Sequence, residues 1–149
     1  MLPGFTCRNL VAFLIKYNKE GAERRLVVCS AYLPYDSEYP PSSKELEELV
    51  RYCEYENLYL VVGCDSNAHH SVWCSTECNS RGGHGGISKF FKLGGLNPEN
   101  EPTCIGGKLD VTDITLESQR LLDIIVEWEV SSELSLSDHR RILFTIRGS

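Results

Sequence analysis

The sequence predicts a sheet-based, layered α/β or α+β fold. Three observations carry that expectation. Strand-like apolar runs outnumber helical ones, several runs are apolar at nearly every position, and one amphipathic helix stands between two of them. The chain has 149 residues, of which 42% are apolar and 24% are charged and spread along its length. That is enough for a core, and one domain spanning 1–149 is expected.

Asn9 to Tyr17 (NLVAFLIKY) and Arg25 to Leu33 (RLVVCSAYL) are β-prone, and Asn18-Lys-Glu-Gly21 between them is a turn signal. Together they predict a hairpin, stopped by Pro34. Ser42-x-x-Glu45 matches a capping box. Leu46, Leu49, Val50 and Cys53 follow at i, i+3, i+4 and i+7, which predicts a helix over Ser43 to Tyr55. Leu58 to Cys64 is continuously apolar, as in a strand buried on both faces. Ser75 to Gly86 is polar and glycine-rich, a loop, and Ile87 to Leu93 reads as a short helix ending at Gly94-Gly95. After a loop from Asn97 to Lys108, strands are expected over Val111 to Leu116, Ile124 to Val130 and Arg141 to Ile146.

No apolar run approaches the roughly 20 residues a membrane-spanning helix needs. Met1 to Leu10 lacks a basic n-region and apolar h-region, so no signal peptide is expected. Seven cysteines, several within strand-like runs, suit reduced thiols in an intracellular protein. The net charge of −6 disfavours broad electrostatic binding of nucleic acid, but it suits an active site that collects carboxylates.

Four polar clusters fall where strands end, the position at which layered folds place ligands. These are Tyr32, the pair Asp65 and Asn67, Asp113, and Ser137-Asp138-His139. Each has a bland reading: a strand tyrosine, an Asx turn, a solvated strand position, a cap. Their combination matches a chemical need. Phosphodiester hydrolysis requires an oriented, deprotonated water, a divalent cation and donors for the developing charge. Carboxylates, a carboxamide, a phenol and an imidazole supply those parts. Hard Mg²⁺ favours the carboxylate oxygens.

Their order is informative too: Tyr32-Leu-Pro34, Gly63-Cys-Asp65-Ser-Asn67-Ala-His69, Trp73, Asn79-Ser-Arg81-Gly82, Pro102-Thr103, Asp113-Ile-Thr-Leu116, Trp128-Glu-Val130 and Ser135-Leu-Ser-Asp-His-Arg140. This series resembles the endonuclease/exonuclease/phosphatase family, and within it the endonuclease domain of insect-type non-LTR retrotransposons. The resemblance runs from about residue 9 to residue 146.

It implies a four-layered sandwich, two β-sheets face to face with helices outside. It also implies a Mg²⁺- or Mn²⁺-dependent DNA-nicking endonuclease working with a reverse-transcriptase domain, intracellular and nuclear, without membrane association. By the resemblance Asp65 deprotonates the water, Asn67 hydrogen-bonds the water or phosphate, and Tyr32 contacts the scissile phosphate. His139 binds the phosphate, Asp113 fixes the His139 ring, and Asp138 helps to hold the metal. His69 and Ser137 lie on the substrate side, Ser137 chiefly as a structural part of the motif.

The family's first strand bears an asparagine and its second ends in a metal-binding glutamate, and neither precedes Leu10 here. The resemblance therefore covers the C-terminal two-thirds of such a domain, with N-terminal strands missing and the metal more weakly held. The alternative expectation is a catalytically inactive remnant of that domain. Trp73-Cys74 in place of W-G, and Thr112 where a branched apolar residue is usual, are smaller departures.

Two other patterns compete. Cys74-x3-Cys78-x5-His84, with His69, His70 or Cys64, would make a small zinc-binding module, though the spacing matches no strong zinc pattern. Arg81 to Gly86 (RGGHGG) is glycine-rich but lacks the Gly-Lys-Ser/Thr ending of a phosphate-binding loop.

Overall fold

The computed structural model describes residues 1–35, 43–67, 93–95, 101–106, 109–118, 124–133 and 135–147. Strands β1 (Thr6–Cys7), β2 (Leu10–Lys19) and β3 (Ala22–Tyr32) precede helix α1 (Lys44–Tyr55), and β4 (Tyr59–Asp65), β5 (Leu93–Gly95) and β6 (Asp113–Ser118) follow. These six strands form one sheet in the order β1-β2-β3-β4-β6-β5. β7 (Ile125–Val130) and β8 (Ile142–Ile146) form a second, antiparallel sheet.

Local chemistry explains the connections. Lys19 pairs with Ala22, so Glu20 and Gly21 alone make the β2–β3 turn, both with positive φ (52° and 78°). That is the primed two-residue hairpin whose twist matches its strands. β3 and β4 run parallel, which requires a crossover, and α1 supplies it. The helix starts one residue later than the expected capping box. Its N-cap is Ser43, whose Oγ accepts the Leu46 N–H at 3.2 Å. Because Leu46 occupies the third helical position, the reciprocal glutamate of a capping box has no place there.

Alternation along the strands builds two cores. Leu10, Ala12, Val27, Cys29, Leu60, Val62 and Ile114 pack with Leu46, Leu49 and Cys53 of α1. Burial lifts the Cys29 and Cys53 thiols to about 12, so both stay protonated. On the opposite face Leu26 and Val61 pack with Ile124 and Ile125, flanked by Tyr17, Phe144 and Ile146. Helix, large sheet and small sheet are thus three consecutive layers of the expected α+β sandwich. Trp128 on β7 ties the two sheets, its Nε1–H donating to Thr115 Oγ1 of β6 at 3.0 Å. A bulge aims it: between Val126↔Thr145 and Glu129↔Leu143 β7 takes one extra residue, and Glu127 has φ 55°.

The expected strands appear within a few residues of their predicted limits. Leu93 differs: it belongs to β5, which pairs with β6 from Leu93↔Ser118 to Gly95↔Leu116. A non-local ladder overrides the reading of Leu-Gly-Gly as a helix end, whose remainder, 87–92, lies outside the described residues. The five cysteines among the described residues are free thiols, as expected. No helix among the described residues is long and apolar enough to cross a membrane.

Candidate active site

Sheet register, which the sequence does not display, gathers the strand-end residues. Tyr32 pairs with Asp65, and Asp65 with Asp113. Three predicted residues therefore form one row across β3, β4 and β6. Paired residues of neighbouring strands project from the same face.

The chain then locks the row's exits. Asp65 O accepts the Leu33 N–H at 2.9 Å, and Thr112 O accepts both N–H and Oγ–H of Ser66, at 3.0 and 2.9 Å. Asn67 has φ 46°, and its N–H donates to Asp65 Oδ1 at 3.3 Å. The Asx turn is therefore real, and it sits inside the site. The Asn67 carboxamide donates to Leu33 O at 3.1 Å, so the residue also clasps β4 to the exit of β3.

His139 arrives on the turn that leads into β8. Its Nδ1 lies 2.8 Å from Asp113 Oδ2, and its Nε2 lies 3.9 Å from Asp65 Oδ2 and 4.0 Å from Asp138 Oδ1. Burial lowers the imidazole's proton affinity. The hydrogen bond to Asp113 and the charges of Asp113, Asp65 and Asp138 more than offset it, so the net shift is upward. Asp65 is also shifted upward, first by burial and then by the Asp113 carboxylate, against the pull of His139 and the Asn67 N–H.

One residue that the sequence reading left without a role organises the pair. Thr103 is fully buried, and its Oγ1 accepts the Thr112 and Asp113 N–H groups at 3.2 and 3.0 Å. Its carbonyl accepts the Arg140 N–H at 2.7 Å, beside His139. The Ser-Asp-His turn is braced from within: Ser137 Oγ accepts the His139 N–H at 3.1 Å, and Ser135 Oγ lies 2.8 Å from Ser137 O and 2.5 Å from His139 O. Arg140 was visible only as part of the motif. Its guanidinium donates to Ser131 O, Glu101 and Pro102 O.

A cavity of about 400 Å³ adjoins the row, lined among others by Val11, Ser30, Tyr32, Asp65, Asp113 and Arg140. Gly63 also lines it, and a Cβ built there meets nothing within 4 Å. The volume is that of a small-ligand site.

Of the predicted site residues, Tyr32, Asp65, Asn67, Asp113 and His139 come together at one end of the sandwich. Ser137 belongs to the turn that carries His139. Asp138 is more peripheral, its side chain 64% exposed. His69, His70, Cys74, Cys78 and His84 lie outside the described residues, as does the glycine-rich loop. Cys64 is buried in the core that faces α1.

The donor set fits a hard divalent cation. Asp65, Asp113 and His139 each offer a ligand atom, all within 4.8 Å of one another. Burial and then the Asp113 carboxylate disfavour the charged form of Asp65, and a cation bound there would favour it.

Fold and site together define a protein of the endonuclease/exonuclease/phosphatase type. More closely, the chain belongs to the endonuclease–reverse transcriptase family, whose sequence pattern matches residues 26–143. Among solved structures it is similar to the endonuclease domain of TRAS1, a telomere-specific non-LTR retrotransposon. The two are 27% identical with a TM-score of 0.74, over 98% of this chain and 65% of that one. The catalytic domain of Xenopus laevis APE2 shares the fold at 14% identity and a TM-score of 0.51, over 94% of this chain and 56% of that one. This chain therefore spans somewhat under two-thirds of either domain. No curated protein sequence matches it.

Proposed function

We propose that this chain is the DNA-nicking part of a non-LTR retrotransposon endonuclease, a Mg²⁺- or Mn²⁺-dependent phosphodiesterase acting in the nucleus alongside a reverse transcriptase. The observation that carries the reading is the His139–Asp113 contact of 2.8 Å, set beside Asp65 in one row of the sheet.

Asp65, as carboxylate, accepts a proton from water, and the hydroxide adds to phosphorus. Asn67 orients that water or the phosphate, and Tyr32 contacts the phosphate oxygens. His139, held by Asp113 through Nδ1, directs Nε2 at the phosphate and stabilises the charge that develops there. The P–O bond breaks, and the leaving alkoxide takes a proton from solvent. Of the Asp65, Asp113 and His139 donor group, Asp113 and His139 are engaged with each other, so Asp65 would hold the metal, with Asp138 helping from the edge of the site; when bound it would supply Lewis-acid neutralisation of the phosphate oxygens.

Supercoiled plasmid incubated with the chain and Mg²⁺ tests the reading, with an N-terminally extended version in parallel. Nicking is expected, and Asp65→Ala or His139→Ala should lower its rate by about 100-fold or more. Undiminished nicking in both variants overturns the assignment. Nicking by neither version favours the alternative, a non-catalytic remnant of the domain.

A further inference from the structure

Beside the proposed catalytic row lies a second group of metal-ligating side chains with different chemistry. Cys104, Asp138 and His139 each offer a ligand atom, all within 4.8 Å of one another. We propose that these three residues form a binding site for a thiophilic divalent cation of the Zn²⁺ type, which takes His139 away from the phosphate and inhibits the enzyme.

The backbone builds this cluster. Cys104 and His139 face each other in an antiparallel bridge flanked by Ile105 N–H to Asp138 O and Arg140 N–H to Thr103 O, both 2.7 Å. Those bonds make Cys104 and His139 a non-hydrogen-bonded pair, the arrangement in which opposing Cα atoms are only about 4.5 Å apart and side chains come closest. On its other edge Cys104 exchanges two hydrogen bonds with Asp110, at 3.0 and 3.2 Å. The backbone of Cys104 is thus fixed beside that of His139 from both sides.

Asp138 completes the group because of Gly106. A Cβ there would fall 2.7 Å from Asp138 Cβ and 2.8 Å from its Oδ2, so the missing side chain is what lets Asp138 lie over the strap formed by residues 103–106.

Imidazole orientation is an independent indication. Asp113 engages Nδ1 at 2.8 Å, which leaves Nε2 as the atom turned toward Asp138. Carboxylate, histidine and metal in that order is the usual outer support of zinc-binding histidines. Sulfur, nitrogen and oxygen donors together suit borderline-soft Zn²⁺, whereas Mg²⁺ does not favour a thiolate. Ligand atoms around tetrahedral zinc stand roughly 3.5 Å apart for bonds of about 2.0–2.3 Å. The exposed Asp138 side chain has the freedom to close that gap. On ligation the Cys104 thiol and the His139 imidazolium each give up a proton to solvent, so affinity should rise with pH.

Binding stands on geometry alone, while the inhibitory consequence rests on the nuclease reading. Their tests are separate. Titration of the reduced chain with Co²⁺ should give tetrahedral visible bands and a thiolate-to-cobalt charge-transfer band at one equivalent, displaced by Zn²⁺. Cys104→Ser and Cys104→Ala should abolish the charge-transfer band and weaken Zn²⁺ binding at least about tenfold. Cys74→Ser with Cys78→Ser should leave both unchanged. A band that survives the Cys104 variants, or is lost with Cys74 and Cys78, overturns the site. In plasmid nicking at fixed Mg²⁺, Zn²⁺ should inhibit the unaltered chain and inhibit Cys104→Ser at least about tenfold less potently, with equal rates before zinc is added. Undiminished nicking with the metal bound overturns the competition for His139. If the chain does not nick at all, the cobalt spectrum still decides the site.

Discussion

The Thr103 hydroxyl accepts the backbone N–H of Asp113 at 3.0 Å, and the carbonyl of the same threonine accepts the N–H of Arg140 at 2.7 Å. One buried residue therefore fixes the start of the strand that carries Asp113 and the turn that carries His139. The distance between those two side chains depends on a residue that touches neither of them through its own reactive chemistry.

Thr103→Val keeps the shape and removes the acceptor. The Thr112 and Asp113 N–H groups then lose their partner in a partly buried setting, at about 1–3 kcal/mol each if left fully unsatisfied. The expected loss of stability is about 2–3 kcal/mol by urea unfolding, with nicking reduced as Asp113 drifts from His139. Thr103→Ser should recover most of both. A Thr103→Val chain as stable as the parent would refute the clamp.

The pH dependence of nicking should be bell-shaped. Asp65 must be deprotonated to act as base, so activity falls on the acid side as it takes up its proton. Burial and Asp113 raise that proton affinity, which moves the acid limb upward from the ordinary aspartate value. His139 must keep its proton to meet the phosphate, so activity falls on the alkaline side, above the ordinary histidine value. Asp113→Asn preserves an acceptor for Nδ1 but removes the charge. Both limbs should then move to lower pH, because the same charge raises both groups. A rate profile in which only the maximum drops would assign Asp113 a purely steric role.

Much of this arrangement was legible in the sequence, for identifiable reasons. Period-two and 3.6-residue patterns record burial, so β2, β3, β4 and α1 were visible from their side chains alone. Polar residues at strand ends betrayed Tyr32, Asp65 and Asp113 as a set. What escaped was pairing between distant segments. Nothing local in Leu93-Gly94-Gly95 announces a strand, since its identity comes from β6. The register that aligns Tyr32, Asp65 and Asp113, and the bridge that sets Cys104 against His139, exist only once the chain has folded. Adjacent serines at 42 and 43 likewise leave the cap undecided until the helix start is known.

Glu117 is fully buried, and neither of its carboxylate oxygens has a hydrogen-bond partner among the described residues. Burial raises its proton affinity. An acid whose folded value lies above its unfolded one stabilises the fold only when protonated, so this contribution is lost as pH rises and is a penalty at neutrality. Glu117→Leu should therefore stabilise the chain by about 1–3 kcal/mol at pH 7 and by less at pH 4. Unfolding midpoints at the two pH values measure this, and a larger gain at pH 4 would contradict it.

Gly106→Ala tests how closely Asp138 is fitted to its neighbour. The added methyl would meet Asp138 Cβ at 2.7 Å. Cβ is not the movable end of a side chain, so relief requires backbone movement in the strap or in the Ser-Asp-His turn. Overpacking of this kind costs about 1–3 kcal/mol. Displacing Asp138 also moves a carboxylate that lies 4.0 Å from His139 Nε2 and helps to keep the ring protonated. The expected result is lower thermal stability together with an alkaline limb of nicking shifted to lower pH. Cys104→Ala, on the same strap but adding no atoms, should leave that limb in place. An unchanged limb in Gly106→Ala would mean that Asp138 contributes little to the charge state of His139.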